Sequence, residues 1–309
     1  MEVTRRPGLA EVLLAWTLLA LVGAAVFTTY ARLPASDLYH VSGSGLGGGA
    51  SRLVVFLGWP GGLVAIAVLA VVADRLRGAL LRLAALVAAG LCASIVVPGV
   101  IDQADLDARP VNALAAAGVA AALALTAFAL ARAGIGRPAP LGRLDFLRVG
   151  LALVLLLAAI PWIAAELGFT VSDAPVLGSV FMGDQRIEAP GQETLMAVHL
   201  GDHHGMVGTL LAWVALALSR VPAQMRSAGL RAFLVAYLAL MLVYGLTNAV
   251  QDFWLEQIVK RGATSASIPS VVRPDATWAW AALIGVAFLI CLVAFRVVRV
   301  DKRQEGGLP

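Results

Sequence analysis

The sequence predicts an all-helical, polytopic integral membrane protein of about eight transmembrane helices, and three observations predict it. Of its 309 residues, 60% are hydrophobic and only 14% are charged, where a globular chain carries about a quarter charged residues. The mean hydropathy is +0.88. Several apolar runs also reach the roughly 18 to 20 residues that a helix needs to cross a hydrocarbon core of about 30 Å. Backbone groups in lipid must satisfy one another, so such runs are helices, whereas a barrel would show short alternating strands.

The first span, 9–29, follows the basic segment MEVTRRPG. Its apolar run is too long for an ordinary signal peptide and no small-x-small cleavage site follows, so it reads as uncleaved. Further apolar runs place spans at 53–73, 79–101, 111–132, 148–168, 196–219, 231–251 and 277–298. The connections sort by charge. One side carries Arg5, Arg6, Arg75, Arg77, Arg82, Arg132, Arg137, Arg143, Arg148, Arg220, Arg226, Arg231, Arg296, Arg299, Lys302 and Arg303, all in short loops or tails. That bias marks the cytoplasmic side. Both termini are then cytoplasmic in a multi-pass protein of the cell (plasma) membrane, with 301–309 as a cytoplasmic tail of a single membrane domain, 1–309. Lysine occurs only at 260 and 302, and Ala, Gly, Val and Arg dominate, which points to a GC-rich bacterial genome.

The opposite side holds the longer loops, 30–52, 102–110, 169–195 and 252–276, and all four histidines. Loops of this length tend to carry function, so chemistry is expected on the extracytoplasmic face. The first of them, DLYHVSGSGLGGGASR, lacks the GxxxxGK[ST] of a phosphate loop and lies away from ATP, so no nucleotide is expected. Its glycines suggest a re-entrant backbone or a lid. No basic patch with interleaved aromatics marks a nucleic-acid surface. Cys92 and Cys291 fall inside spans without ligand spacing and read as small buried hydrophobes.

Weak self-similarity suggests a parallel 4+4 duplication with halves 1–140 and 141–300. SGLGGG (44–49) pairs with HGMVGT (204–209), PGVID (98–102) with YGLTN (244–248), and Arg109-Pro110 with Arg273-Pro274. Four crossings return the chain to its starting side, as in parallel transporter repeats.

The densest chemistry is VHLGDHHGMVG, 198–208. If helix six starts near Glu193, His199 and His203 stand at i and i+4 on one face, the spacing by which two helical imidazoles share a metal. Asp202 is a third ligand or a carboxylate that orients a ring. His204 points about 100° away, and His40 reaches the same region from the first outer loop. Zinc fits this set first, and copper or iron fits too. A proton relay, a pH sensor or a purely structural helix mouth remain open alternatives. Bis-imidazole haem ligation would need paired histidines in facing spans, which the chain lacks.

Carboxylates sit at the same level. Asn248, Asp252 and Glu256 recur every four residues at the outer end of helix seven, either as a site-facing stripe or as a solvated extension. Asp102 ends helix three, and Glu166 is the only acid in the apolar run of helix five. Ionisable groups at membrane depth are costly and often functional. The leading expectation is a metal-dependent membrane hydrolase acting on a lipid-linked or envelope substrate, with Glu166 or Asp252 as general base or acid. The alternatives are a transporter or metal- or proton-handling protein, and a non-catalytic scaffold for another envelope protein.

Overall fold

The computed structural model describes residues 9–32, 43–97, 107–136, 142–166, 186–187, 195–196, 204–259, 263–266, 268–272 and 274–305. In chain order the helices are α1 (Ala10–Arg32), α2 (Gly45–Arg75), α3 (Ala79–Val96), α4 (Asn112–Ala133), α5 (Arg143–Glu166), α6 (His204–Leu218), α7 (Ala228–Phe253) and α8 (Trp278–Glu305). Among the described residues the only strands are Arg186–Ile187 and Leu195–Met196, paired antiparallel. Among the described residues, six helices are long and apolar enough to cross a membrane: α1 to α4, α6 taken on to Gln224, and α7. α8 adds a shorter apolar stretch, Trp278–Ala294.

Three expected boundaries move. Helix six does not start near Glu193, because Leu195 and Met196 pair with Ile187 and Arg186 as strand and α6 opens at His204. Hydropathy alone cannot separate a short apolar strand from a first helical turn, and Gly191 and Gly201 weaken helix around this stretch. Helix two starts at Gly45, eight residues before the expected 53. Its glycines are neither lid nor re-entrant loop; they let α2 press on α1. A Cβ on Gly49 would stand 2.7 Å from the Phe27 carbonyl oxygen, and one on Gly48 would stand 3.2 Å from that of Tyr30. Helix eight runs to Glu305, so the start of the tail is helical.

α2, α6 and α7 form the inner layer. α6 has its most extensive interface with α7 and also packs on α1 and α5, while α2 touches α1, α3, α4 and α7. The outer helices turn large apolar side chains outward: Leu86 on α3 is 68% exposed, Leu157 on α5 62% and Phe288 on α8 61%. Such a belt suits lipid and not water. The contacts do not repeat between the halves, since α2 lies along α4 but α6 and α8 share no comparable interface among the described residues.

Small residues carry the tightest crossing. On α6 and α7, Gly208 and Ala212 face Gly245 and Ala249. A Cβ on Gly208 would stand 2.8 Å from the Ala249 nitrogen, and one on Gly245 would stand 2.9 Å from the Ala212 nitrogen. This is the small-xxx-small device that lets backbones touch where lipid supplies no hydrophobic drive between helices. α2 is interrupted by a π-turn, Leu57–Gly61, around Pro60, whose missing N–H cannot close the normal ladder. Just beyond it the Tyr237 hydroxyl donates to the Leu63 carbonyl at 2.9 Å and ties α7 to α2.

One end of the bundle is closed by buried ions. Asp74 accepts from the Ser227 nitrogen at 2.7 Å and the Arg226 nitrogen at 3.0 Å. Asp145 meets Arg148 at 2.8 Å and Arg220 at 3.3 Å, and Arg220 reaches Glu11 at 3.6 Å. Arg148 also donates to the Ser219 hydroxyl at 2.8 Å, and the Leu9 nitrogen donates to the Ile135 carbonyl at 2.7 Å. The ends of α1, α2, α4, α5, α6 and α7 therefore meet here, as the distribution of arginine anticipates.

Two outcomes test this packing. Gly208→Ala should lower stability in detergent by about 1–3 kcal/mol, the usual cost of overpacking, while Gly150→Ala, which faces open space, should cost nothing; thermal melts compare them. Asp145 lies in the first turn of α5, before its apolar stretch. Burial pushes its carboxyl up, but the Gly142 N–H, Arg148 and Arg220 outweigh burial and hold it below the ordinary value of 3.8. A carboxyl depressed on folding stabilises the fold above its ordinary pKa, and that contribution is lost as pH falls through the folded value. Asp145→Asn should therefore melt earlier than wild type at pH 7, with the gap closing as pH is taken below about 4.

Candidate functional site

The α6–α7 crossing dictates what meets at the other end. The two helices run antiparallel, so the residues outward of Gly208 on α6 and of Gly245 on α7 approach the same surface. His204 opens α6, and Asn248 and Asp252 lie one and two turns beyond the crossing on α7. A Cβ on Gly208 would stand 3.1 Å from the Asn248 Cβ, so one turn further out the register brings His204 and Asp252 to a common level. α5 runs antiparallel to α6, with the Trp213 indole donating to the Ala152 carbonyl at 3.1 Å. Its last residue, Glu166, thus ends at the same end of the bundle.

Asn248 is 4% exposed and Asp252 3%, which rules out the solvated-extension reading for these two. The Asn248 amide donates to the Tyr244 carbonyl at 2.8 Å within the helix. α7 then passes into a π-turn, Trp254–Val259, and the Glu256 side chain lies outside the described residues.

The chain after α7 folds back over this end. The Tyr244 hydroxyl donates to the Val272 carbonyl at 2.8 Å, Gln251 accepts from the Val271 nitrogen at 3.1 Å, and the Trp254 indole donates to the Ala266 carbonyl at 3.1 Å. Val271 is fully buried, and the Trp280 ring lies 5.8 Å from that of Tyr244. Part of the 252–276 loop is thus a cap fastened to α7, with the Trp254 indole N–H as one of its ties.

His204, the first described residue of α6, is half-buried.

His199, Asp202, His203, His40 and Asp102 lie outside the described residues. Among the described residues no group of three or more His, Cys, Asp or Glu is placed to hold a metal. The sequence reading overlooked Arg52, in the first half of α2, which is 8% exposed with its guanidinium 5.6 Å from the centre of the Tyr30 ring. A lone arginine inside an apolar helix was the available signal. It also overlooked the caps supplied by Gln251 and Tyr244, which leave no periodic trace.

No protein-family model, no curated protein and no solved structure matches the chain.

The α6–α7 register predicts that His204→Cys combined with Asp252→Cys, in a background with both native cysteines replaced, forms a crosslink with a short bismaleimide. A protease site engineered between Ser219 and Ser227 would report it on a gel as uncleaved mass. Free separation of the two fragments would mean that the register is wrong.

Proposed function

We propose that this is an eight-span membrane protein of the bacterial plasma membrane, both termini cytoplasmic, whose extracytoplasmic end carries a metal-dependent hydrolytic site for a lipid-linked or envelope substrate. α5 and α8 supply the two spans beyond the six, and the arginine-rich end is the cytoplasmic one. The 4+4 duplication gains no support from the helix contacts and is not needed for this reading.

The observation that carries the function is the convergence of α6 and α7, which brings the chain that follows His203 to the buried Asn248 and Asp252. A buried carboxylate level with a histidine cluster is a ligand, a general base or a partner that fixes an imidazole tautomer. The i,i+4 argument for His199 and His203 no longer has a helix starting near Glu193 beneath it. The cluster rests instead on three histidines and an aspartate within six positions of sequence, ending at the first described residue of α6. Zinc, and after it copper or iron, suits imidazole with carboxylate. Such an ion would bring the pKa of a bound water towards neutrality, with Asp252 or Glu166 to take the proton.

A transporter is the second reading. The π-turn at Leu57–Gly61 breaks α2 near mid-depth, and interrupted helices are where transporters build their binding sites. Elemental analysis separates the two. Purified wild type should carry near-stoichiometric zinc, copper or iron that the His199→Ala, His203→Ala double variant loses. Absence of metal from wild type after reconstitution at neutral pH would retire the metalloenzyme.

A further inference from the structure

The strongest feature outside that site is at the opposite end of the bundle. Arg75 is the last residue of α2, and its side chain is only 7% exposed. Its Nε, Nη1 and Nη2 are all buried and make no hydrogen bond. The carboxylate of Asp74 approaches Nη1 only to 3.8 Å, beyond hydrogen-bonding range. That carboxylate is already engaged by the Arg226 and Ser227 nitrogens. A guanidinium cannot shed its proton to escape the difficulty. Buried donors left in this state are rare in folded proteins and commonly mark a place for an ion or water.

The charge around it points to an anion. Four guanidinium groups, those of Arg75, Arg148, Arg220 and Arg226, share this end with three carboxylates, those of Glu11, Asp74 and Asp145. Within this set guanidinium groups outnumber carboxylates by one, and Arg231, one turn into α7 from Ser227, adds another positive charge. The first turn of α7, whose preceding residue Ser227 lies against Asp74, adds the positive end of a helix dipole. Depth then selects the anion. Arg75 stands where an apolar helix ends, the level at which phospholipid phosphates lie.

We propose that Arg75 is the centre of a phosphate site at the arginine-rich end, filled by the headgroup of an anionic lipid or by inorganic phosphate. The planar guanidinium offers a paired donor edge that matches two phosphate oxygens. Asp74 keeps its two backbone donors when the arginine turns away. The stem of Arg75 is long enough to swing its head towards the headgroup layer, beside a turn that Gly78 takes at φ 106°. This site is independent of the histidine cluster, and either can fail without the other.

The test uses the full-length protein in neutral detergent and in vesicles of phosphatidylcholine with or without phosphatidylglycerol. Native mass spectrometry reads retained lipid, and thermal melts read protection. Wild type should retain about one phosphatidylglycerol and melt later with it, and Arg75→Gln should weaken retention by about tenfold, as loss of a charge-assisted pair implies. Arg77→Gln, at an exposed neighbour, should behave as wild type. Protection by inorganic phosphate without lipid retention would assign the site to the free ion. Wild type with no preference for phosphatidylglycerol and no response to phosphate overturns the proposal, even if Arg75→Gln does not fold. Equal retention by Arg75→Gln and wild type overturns it as well.

Discussion

Two backbones in contact set the geometry of this protein. Where α6 crosses α7, neither Gly208 nor Gly245 has room for a side chain, and that contact fixes the axial register of the two most closely packed helices. In lipid, helices gain little from hiding apolar surface and associate through close packing and polar contacts. A crossing that admits only glycine therefore specifies position more sharply than any apolar pair could. From it follow the level of His204 against Asp252 at one end and the approach of the α6–α7 turn to Asp74 and Glu11 at the other.

The two ends handle charge differently. At the arginine-rich end, carboxylates meet guanidinium groups and backbone nitrogens directly, with Asp145 joining Arg148, Arg220 and the Gly142 nitrogen. Removing one partner from such a cluster is expensive because the other charge remains buried. At the other end, polar side chains are spaced along α7 and covered by a folded-back loop, with Asn248 and Asp252 facing inward. The first arrangement holds helix ends together. The second buries polar groups beneath a loop.

Most of the helical architecture was legible in the sequence, because a span of 18 or more apolar residues is a strong signal and arginine in short loops sorts the ends. Boundaries were read less well where two forces compete. Gly45 to Gly49 look like a loop by propensity, yet they form helix, and Gly48 and Gly49 lie where α1 leaves no room for side chains. Leu195 and Met196 look like the start of a span by hydropathy, yet they pair as strand. Within the candidate site, Asn248 and Asp252 were found by period, and their burial was not, since a four-residue repeat describes an inward stripe and a solvated one equally. Arg52 and Gln251 escaped notice, and Arg75 was read only as one of many loop arginines, because their roles depend on residues distant in sequence.

Helix lengths differ widely, and the difference governs how the protein meets the bilayer. α2 has 31 residues, about 46 Å of helix, far more than a hydrocarbon core of about 30 Å. Exposed to lipid, such a helix would tilt strongly or force the bilayer to thicken. α2 is an inner helix, so its excess length is absorbed by neighbouring protein. The apolar outer surface is made instead by helices such as α3 and α4, whose 18 and 22 residues span about 27 and 33 Å. An irregular helix is thus accommodated inside without altering the lengths that the outer helices present.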